Sequence, residues 1–224
     1  MLRFAEEIIL LLLEDENGKF VHVPELSMRC VLAGAVLMDL AIELRIDTDL
    51  DKLVLLDPTP VGDPLLDPTL EKIAEAEKQR VEESEKERDA RYWVELTARE
   101  ADSIREVALA RLIERGILRR EDDRLLWVFR SRRYPVIDGQ AEREVKLRIM
   151  EVLFSDAIPG PRDVVIISLA DSCGIFKILL SEREYKRARE RIHNVRKMDL
   201  IGQAVSNSVR EIEAVLALAL HPPF

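Results

Sequence analysis

The chain is poor in the residues that build tight turns, disulfide frameworks and catalytic centres. Its 224 residues include 8 glycines and 10 prolines, few for a β-sandwich with many tight turns, which directs the reading toward helices. The two cysteines, Cys30 and Cys173, lie in apolar helical runs and read as buried thiols in a reducing compartment rather than as a disulfide scaffold. His22, His193 and His221 are far apart, and none has a metal-ligand partner at helical spacing. A glycine-rich phosphate loop is missing too, since Gly62 and Gly116 are solitary. Ser168, Ser172 and Cys173 share a core-like run without a nearby histidine. With no nucleophile, base and oxyanion donor to assemble, the expectation is no enzyme, no cofactor and no metal. The longest apolar run, residues 30–38, is about half of a bilayer span. Residues 8–13 run directly into Glu14, Asp15 and Glu16 with no cleavage site, so no signal peptide is read. A soluble cytoplasmic protein is expected, able to sit peripherally on the cytosolic face of a membrane.

What is present is a core-forming, acidic chain. Hydrophobic residues make up 47% and charged residues 34%, ample for a sizeable core. Asp and Glu number 43 against 34 Lys and Arg, a net charge of −9. Such a protein is a poor general polyanion binder, so any nucleic-acid or membrane role needs a local basic patch.

The pattern predicts one mainly α domain over residues 1–224, with no internal repeat. Phe4, Ile8, Leu11 and Leu12 recur at helical spacing and Asn17-Gly18 stops the helix. An extended piece over 20–23 leads to Pro24. Residues 26–44 are apolar on most faces, with Ala33, Gly34, Ala35 and Ala41 small enough for close contact, the pattern of a central helix. Residues 45–47 and 53–56 pair as a small hairpin. In the turn cluster Asp57-Pro58-Thr59-Pro60-Val61-Gly62-Asp63-Pro64, Asp63 reads as an N-cap with Pro64 at the first helical position. Asp57, Asp63 and Asp67 read as capping groups rather than cation ligands. Residues 74–91 are nearly all charge, an exposed helix or surface excursion. Trp93, Leu96, Ile104, Val107, Leu112 and Ile113 define one helix that Gly116 closes. A projecting β-hairpin is placed at 117–134, with 119–123 as its acidic tip and Arg124 opening the second strand. Further amphipathic helices fall at 140–154, 162–180, 182–195 and 205–220.

Two stretches reverse the overall charge. Residues 111–133 carry eight arginines against four acids, and residues 182–199 carry seven bases against four. Arginine forks onto phosphate oxygens, so a phosphorylated partner is one reading and a mixed-charge rim that binds nothing is the other. Glu114-Arg115-Gly116-Ile117-Leu118 followed by a basic hairpin resembles a winged-helix recognition element. An anionic membrane would instead use the bases with Leu125, Trp127 and Phe129 at the interface.

Several segments in order resemble one family: Phe4-Ala5-Glu6-Glu7-Ile8-Ile9-Leu10-Leu11, Leu32-Ala33-Gly34-Ala35 running into Asp39-Leu40-Ala41, Thr59-Pro60-Val61-Gly62-Asp63-Pro64-Leu65-Leu66-Asp67, Glu114-Arg115-Gly116-Ile117-Leu118, and Tyr134-Pro135. On these the chain resembles the Golgi phosphoprotein 3 family along nearly its whole length. The resemblance implies a helical domain around a central hydrophobic helix, with a projecting hairpin. It also implies a non-enzymatic peripheral adaptor that binds phosphatidylinositol 4-phosphate in a basic pocket and engages protein tails, with no nucleic acid. The family's pocket Trp and helix Arg fall at Pro24 and Ala33, and its two basic positions at Asp102 and Arg105, so only Arg105 is kept. Arg29, four residues before Ala33, shares that helix face and is taken as a substitute charge. Arg130, Arg132 and Arg133 are assigned general attraction to an anionic leaflet. Asp102 opposes a phosphate by like-charge repulsion. With Met1 opening directly on the first helix, these departures suggest a prokaryotic-type member. The alternatives are a protein-interaction scaffold without lipid binding and a winged-helix-like DNA binder.

Overall fold

The computed structural model describes residues 1–13, 19–48, 52–80, 89–123 and 131–199. α1 (Phe4–Leu11) buries every one of its residues, including Glu6 and Glu7. The Glu6 carboxylate reaches back to accept the Arg3 N–H at 2.6 Å, one of the donors a helix start leaves open. Leu13 then bridges to Phe20, which fixes the extended approach to Pro24. The expected stop at Asn17-Gly18 lies outside the described residues.

α2 (Glu25–Ile42) is the central helix that the all-round apolar pattern predicts. It buries Cys30, Leu32, Val36, Leu37 and Leu40 together with Ala33, Gly34 and Ala35, whose small size lets neighbours approach closely. Packed on it are α1, α4 (Ala90–Thr97), α5 (Ala101–Glu114) and α7 (Pro161–Ser172). The small hairpin forms as expected, β1 (Ile46–Thr48) antiparallel to β2 (Leu53–Leu55) with Ile46 opposite Leu55.

The turn cluster resolves into carboxylate–backbone bonds. Asp67 accepts from the N–H groups of Val61, Gly62 and Asp63 at 2.8, 2.9 and 3.0 Å. Asp63 accepts from Leu65 at 3.0 Å and caps a single turn over 64–66. The continuous helix α3 (Asp67–Arg80) therefore starts three residues beyond Pro64. Of the charged stretch 74–91, residues 81–88 lie outside the described part.

Three expectations need correction. The helix read through 93–113 is divided into α4, a 3₁₀ turn (Ala98–Glu100) and α5. The run 162–180 is divided into α7 and α8 (Ile175–Leu179), because Gly174 adopts a left-handed φ of 72°. The acidic residues placed at a hairpin tip are instead a strand: β3 (Glu121–Asp123) pairs with β4 (Ser131–Arg133), and Leu118 bridges Val136 below it. Acids that read as turn formers are paired with a basic strand, and the connection falls in 124–130, outside the described residues. α6 (Gly139–Phe154) and α9 (Glu182–Arg196) form as expected, and the predicted helix at 205–220 lies outside.

α2 and α5 end in the same motif with different residues at its left-handed position. At α5, Gly116 and Ile117 donate to Ile113 and Leu112, both at 2.9 Å, with Gly116 at φ 70°. At α2, Leu44 and Arg45 donate to Ala41 and Leu40 at 3.0 and 2.9 Å, and Leu44 takes φ 56° while 70% exposed. A left-handed non-glycine residue costs about 1–2 kcal/mol. Space is open around Gly116, so only its φ resists a side chain. Chemical denaturation is expected to show Leu44→Gly stabilised by up to about 1 kcal/mol and Gly116→Ala destabilised by about 1 kcal/mol.

Candidate functional site

The arginines sort into those spent on the fold and those facing solvent. Around the start of α1 a belt of charges closes on buried carboxylates. Arg3 lies 2.8 Å from Asp63 and 3.8 Å from Asp39, and Arg111 lies 3.2 Å from Glu6 and also pairs with Asp63. Arg148 bridges Glu7 and Asp163 at 2.7 and 2.6 Å. Arg162 donates to Glu7 at 3.0 Å and to the Leu2 carbonyl at 2.8 Å, with its guanidinium 4.3 Å over the Phe4 ring. Arg115 reaches the Met1 carbonyl at 3.2 Å. Arg111 heads the basic stretch read from sequence, yet it points inward to this belt, while Arg115 keeps 37% of its side chain exposed. A winged-helix reading of α5 loses Arg111 as a phosphate contact.

The residues assigned to head-group binding are partly brought together. Arg29 on α2 and Arg105 on α5 meet at one carboxylate: Arg29 Nη2 is 2.9 Å from Asp102 Oδ2, and Arg105 Nη2 is 3.4 Å from Asp102 Oδ1. Glu25, one turn before Arg29, stands 3.9 Å from Arg105. The side chains of Arg29 and Arg105 are 31% and 37% exposed, those of Asp102 and Glu25 62% and 63%. Two guanidiniums and two carboxylates therefore share an exposed, formally neutral cluster. Glu25 was not singled out from sequence, although its place four residues before Arg29 puts it on the same helix face.

The remaining assigned bases lie elsewhere. Arg132 and Arg133 are in β4, in register with Asp122 and Glu121, so each basic position has an acidic one directly across. Arg130, with Leu125, Trp127 and Phe129, lies outside the described residues. A cavity of about 360 Å³ opens at another place, between the turn cluster and α3, lined by Pro58, Pro60, Leu70, Glu71, Glu75 and Lys78.

The thiols are unsuited to nucleophilic work: burial raises both, and pushes Cys173 up to about 12. Among the described residues no group of His, Cys, Asp and Glu is placed to hold a metal ion. Nor is any described helix long and apolar enough to cross a membrane.

Asp39, 1% exposed, is the most perturbed carboxyl of the belt. Burial pushes it from 3.8 up to about 7, against the Phe4 N–H and the Arg3 and Arg162 guanidiniums that pull it down. Between those values the folded chain holds a proton that the unfolded chain has lost. This contribution to stability is complete below the unfolded value and fades as pH rises through the folded one. Asp39→Asn keeps an acceptor for Phe4 and removes the titration. In thermal melts from about pH 4 to about pH 8 the Tm difference should move in favour of the variant as pH rises. A difference constant across that range would contradict the assignment.

A family model described as Golgi phosphoprotein 3 (GPP34) matches residues 4–212. The match contains the central helix, the Arg29–Asp102–Arg105 cluster and every belt side chain but Arg3.

Proposed function

The chain belongs to the Golgi phosphoprotein 3 family, and from that premise we propose that it is a non-enzymatic peripheral adaptor that docks on anionic phospholipid head groups through Arg29 and Arg105. Family resemblance points to phosphatidylinositol 4-phosphate as the head group. The observation that carries the reading is the convergence of two guanidiniums, from different helices, on the two oxygens of one carboxylate. A phosphate oxygen pair makes the same demand on arginine forks. Asp102, 62% exposed at the end of a short side chain, occupies the place a ligand would take and competes with it. Arg132 and Arg133 add general attraction to an anionic leaflet.

A second reading rests on the cavity beside α3. Its apolar lining of Pro58, Pro60, Leu70 and Ala74, with the acids Asp67, Glu71 and Glu75 outnumbering Lys78, suits a protein segment rather than an anionic lipid. A scaffold acting there alone would capture protein tails and show no salt-sensitive association with vesicles.

Sedimentation with vesicles containing phosphatidylinositol 4-phosphate separates the two. Arg105→Ala should weaken binding by about tenfold, the worth of a charge-assisted contact. Asp102→Asn should strengthen it by removing the internal competitor. If both variants bind as the parent chain does, the cluster is not the head-group site.

A further inference from the structure

We infer that the outward face of α9 is a second docking surface, whose partner is the plane of an anionic bilayer. It shares no residue with the Arg29–Arg105 cluster and goes beyond that reading. α9 is an amphipathic helix, about 22 Å long at 1.5 Å per residue. It buries Ala188, Ile192 and Val195 on one side and exposes Arg183, Lys186, Arg187 and Arg189, with the Arg187 guanidinium 5.5 Å over the Phe154 ring. Three exposed acids, Glu182, Glu184 and Glu190, stand against these four bases, so the face stays positive on a chain of net charge −9. Glu184 is occupied in the cap, accepting from the Ser181 N–H at 2.9 Å, and the Ser181 hydroxyl and N–H hold its carboxyl below the ordinary range. Glu182 pairs with Lys186 at 2.7 Å. The other bases of this stretch serve the fold: Arg196 pairs with Asp171 at 2.5 Å, and Arg191 donates to the carbonyls of Val152, at 3.1 Å, and Ala157.

Those Arg191 bonds pin the loop after α6 against α9, and that loop carries Ile158, 94% exposed. Ile178 in α8, just before the helix, is 46% exposed, and Met198, just after it, is 65% exposed. The positive helix has separate exposed apolar residues near its two ends and on the neighbouring loop. A nucleic-acid backbone gains nothing from isolated aliphatic tips. A bilayer interface uses both, with bases attracted to anionic head groups and apolar tips lodged between them.

The test is sedimentation of the full chain with vesicles of phosphatidylcholine alone and of phosphatidylcholine mixed with phosphatidylserine. The parent chain should bind only the mixed vesicles, and less as salt rises. Arg183→Glu combined with Arg189→Glu should reduce that binding by more than about tenfold, since each base near an anionic leaflet is worth about fivefold. Both residues are exposed, and an unchanged circular dichroism melt separates a surface effect from unfolding. Ile158→Ser should weaken binding at high salt, where the apolar part dominates. Loss on Arg105→Ala with none on the α9 double variant would overturn the inference and leave the Arg29–Arg105 reading standing. Loss on the double variant alone supports the inference whatever the phosphatidylinositol 4-phosphate experiment gives. Salt-sensitive binding to duplex DNA by a chain that ignores both vesicle types would also overturn it.

Discussion

Carboxylates that cannot reach water govern this fold. Glu6 and Glu7 lie inside α1, and Asp39 and Asp63 are buried where the ends of α2 and α3 approach it. Burial of such charges is tolerated only with close opposite charges and donors, and stripping one partner from a buried pair typically costs about 3–5 kcal/mol. Arg3, Arg111, Arg148 and Arg162 supply that compensation from four distant parts of the chain. The apolar faces alone would let α1 slide or rotate among α2, α5, α6 and α7. The belt removes that freedom, because each shift would leave a charge unpaired in the interior. Arg162 also packs its guanidinium on the Phe4 ring, so one side chain joins the ionic and apolar parts of the interior.

The belt also decides where function can reside. An arginine closed on a buried carboxylate is unavailable to a ligand, whatever its position in a basic stretch. Arg111, the first base of the stretch at 111–133, is withdrawn in this way. The acidic β3, in register with β4, sets acidic positions across from Arg132 and Arg133. Among the described residues, the cluster around Asp102 and the face of α9 are turned outward.

Much of the architecture was legible in the sequence because its signals were local and mutually consistent. The all-round apolar pattern of residues 26–44 marked the central helix, the spacing of Phe4, Ile8 and Leu11 marked α1, and Gly116 marked the end of α5. Failures came where one residue overrides a periodic pattern. Gly174 divides a run whose apolar residues continue past it, and the acids of β3 look like turn formers unless their partner strand is known. At the site, the helix positions of Arg29 and Arg105 were readable, and so was the awkward placement of Asp102. The pairing was not, since it joins residues 73 apart in sequence across two helices. The inward turn of Arg111 was equally invisible, because its partners Glu6 and Asp63 lie far away in the chain.

On the proposed reading, the Asp102 carboxylate does more than weaken the cluster. It sets a threshold that a ligand must exceed. A phosphodiester carries one negative charge, the same as the carboxylate it displaces, and gains little from the exchange. A phosphomonoester carries about −1.5 to −2 at neutral pH and offers three acceptor oxygens, so it gains both Coulomb energy and hydrogen bonds when it replaces Asp102 between Arg29 and Arg105. An internal carboxylate at this position thus biases two arginines toward monoester head groups and against the diesters that cover every phospholipid surface. A lysine or arginine in its place would attract both kinds and discriminate less. Selectivity is then obtained by lowering affinity for everything and restoring it for the most highly charged ligand, which fits a chain whose overall charge already repels polyanions.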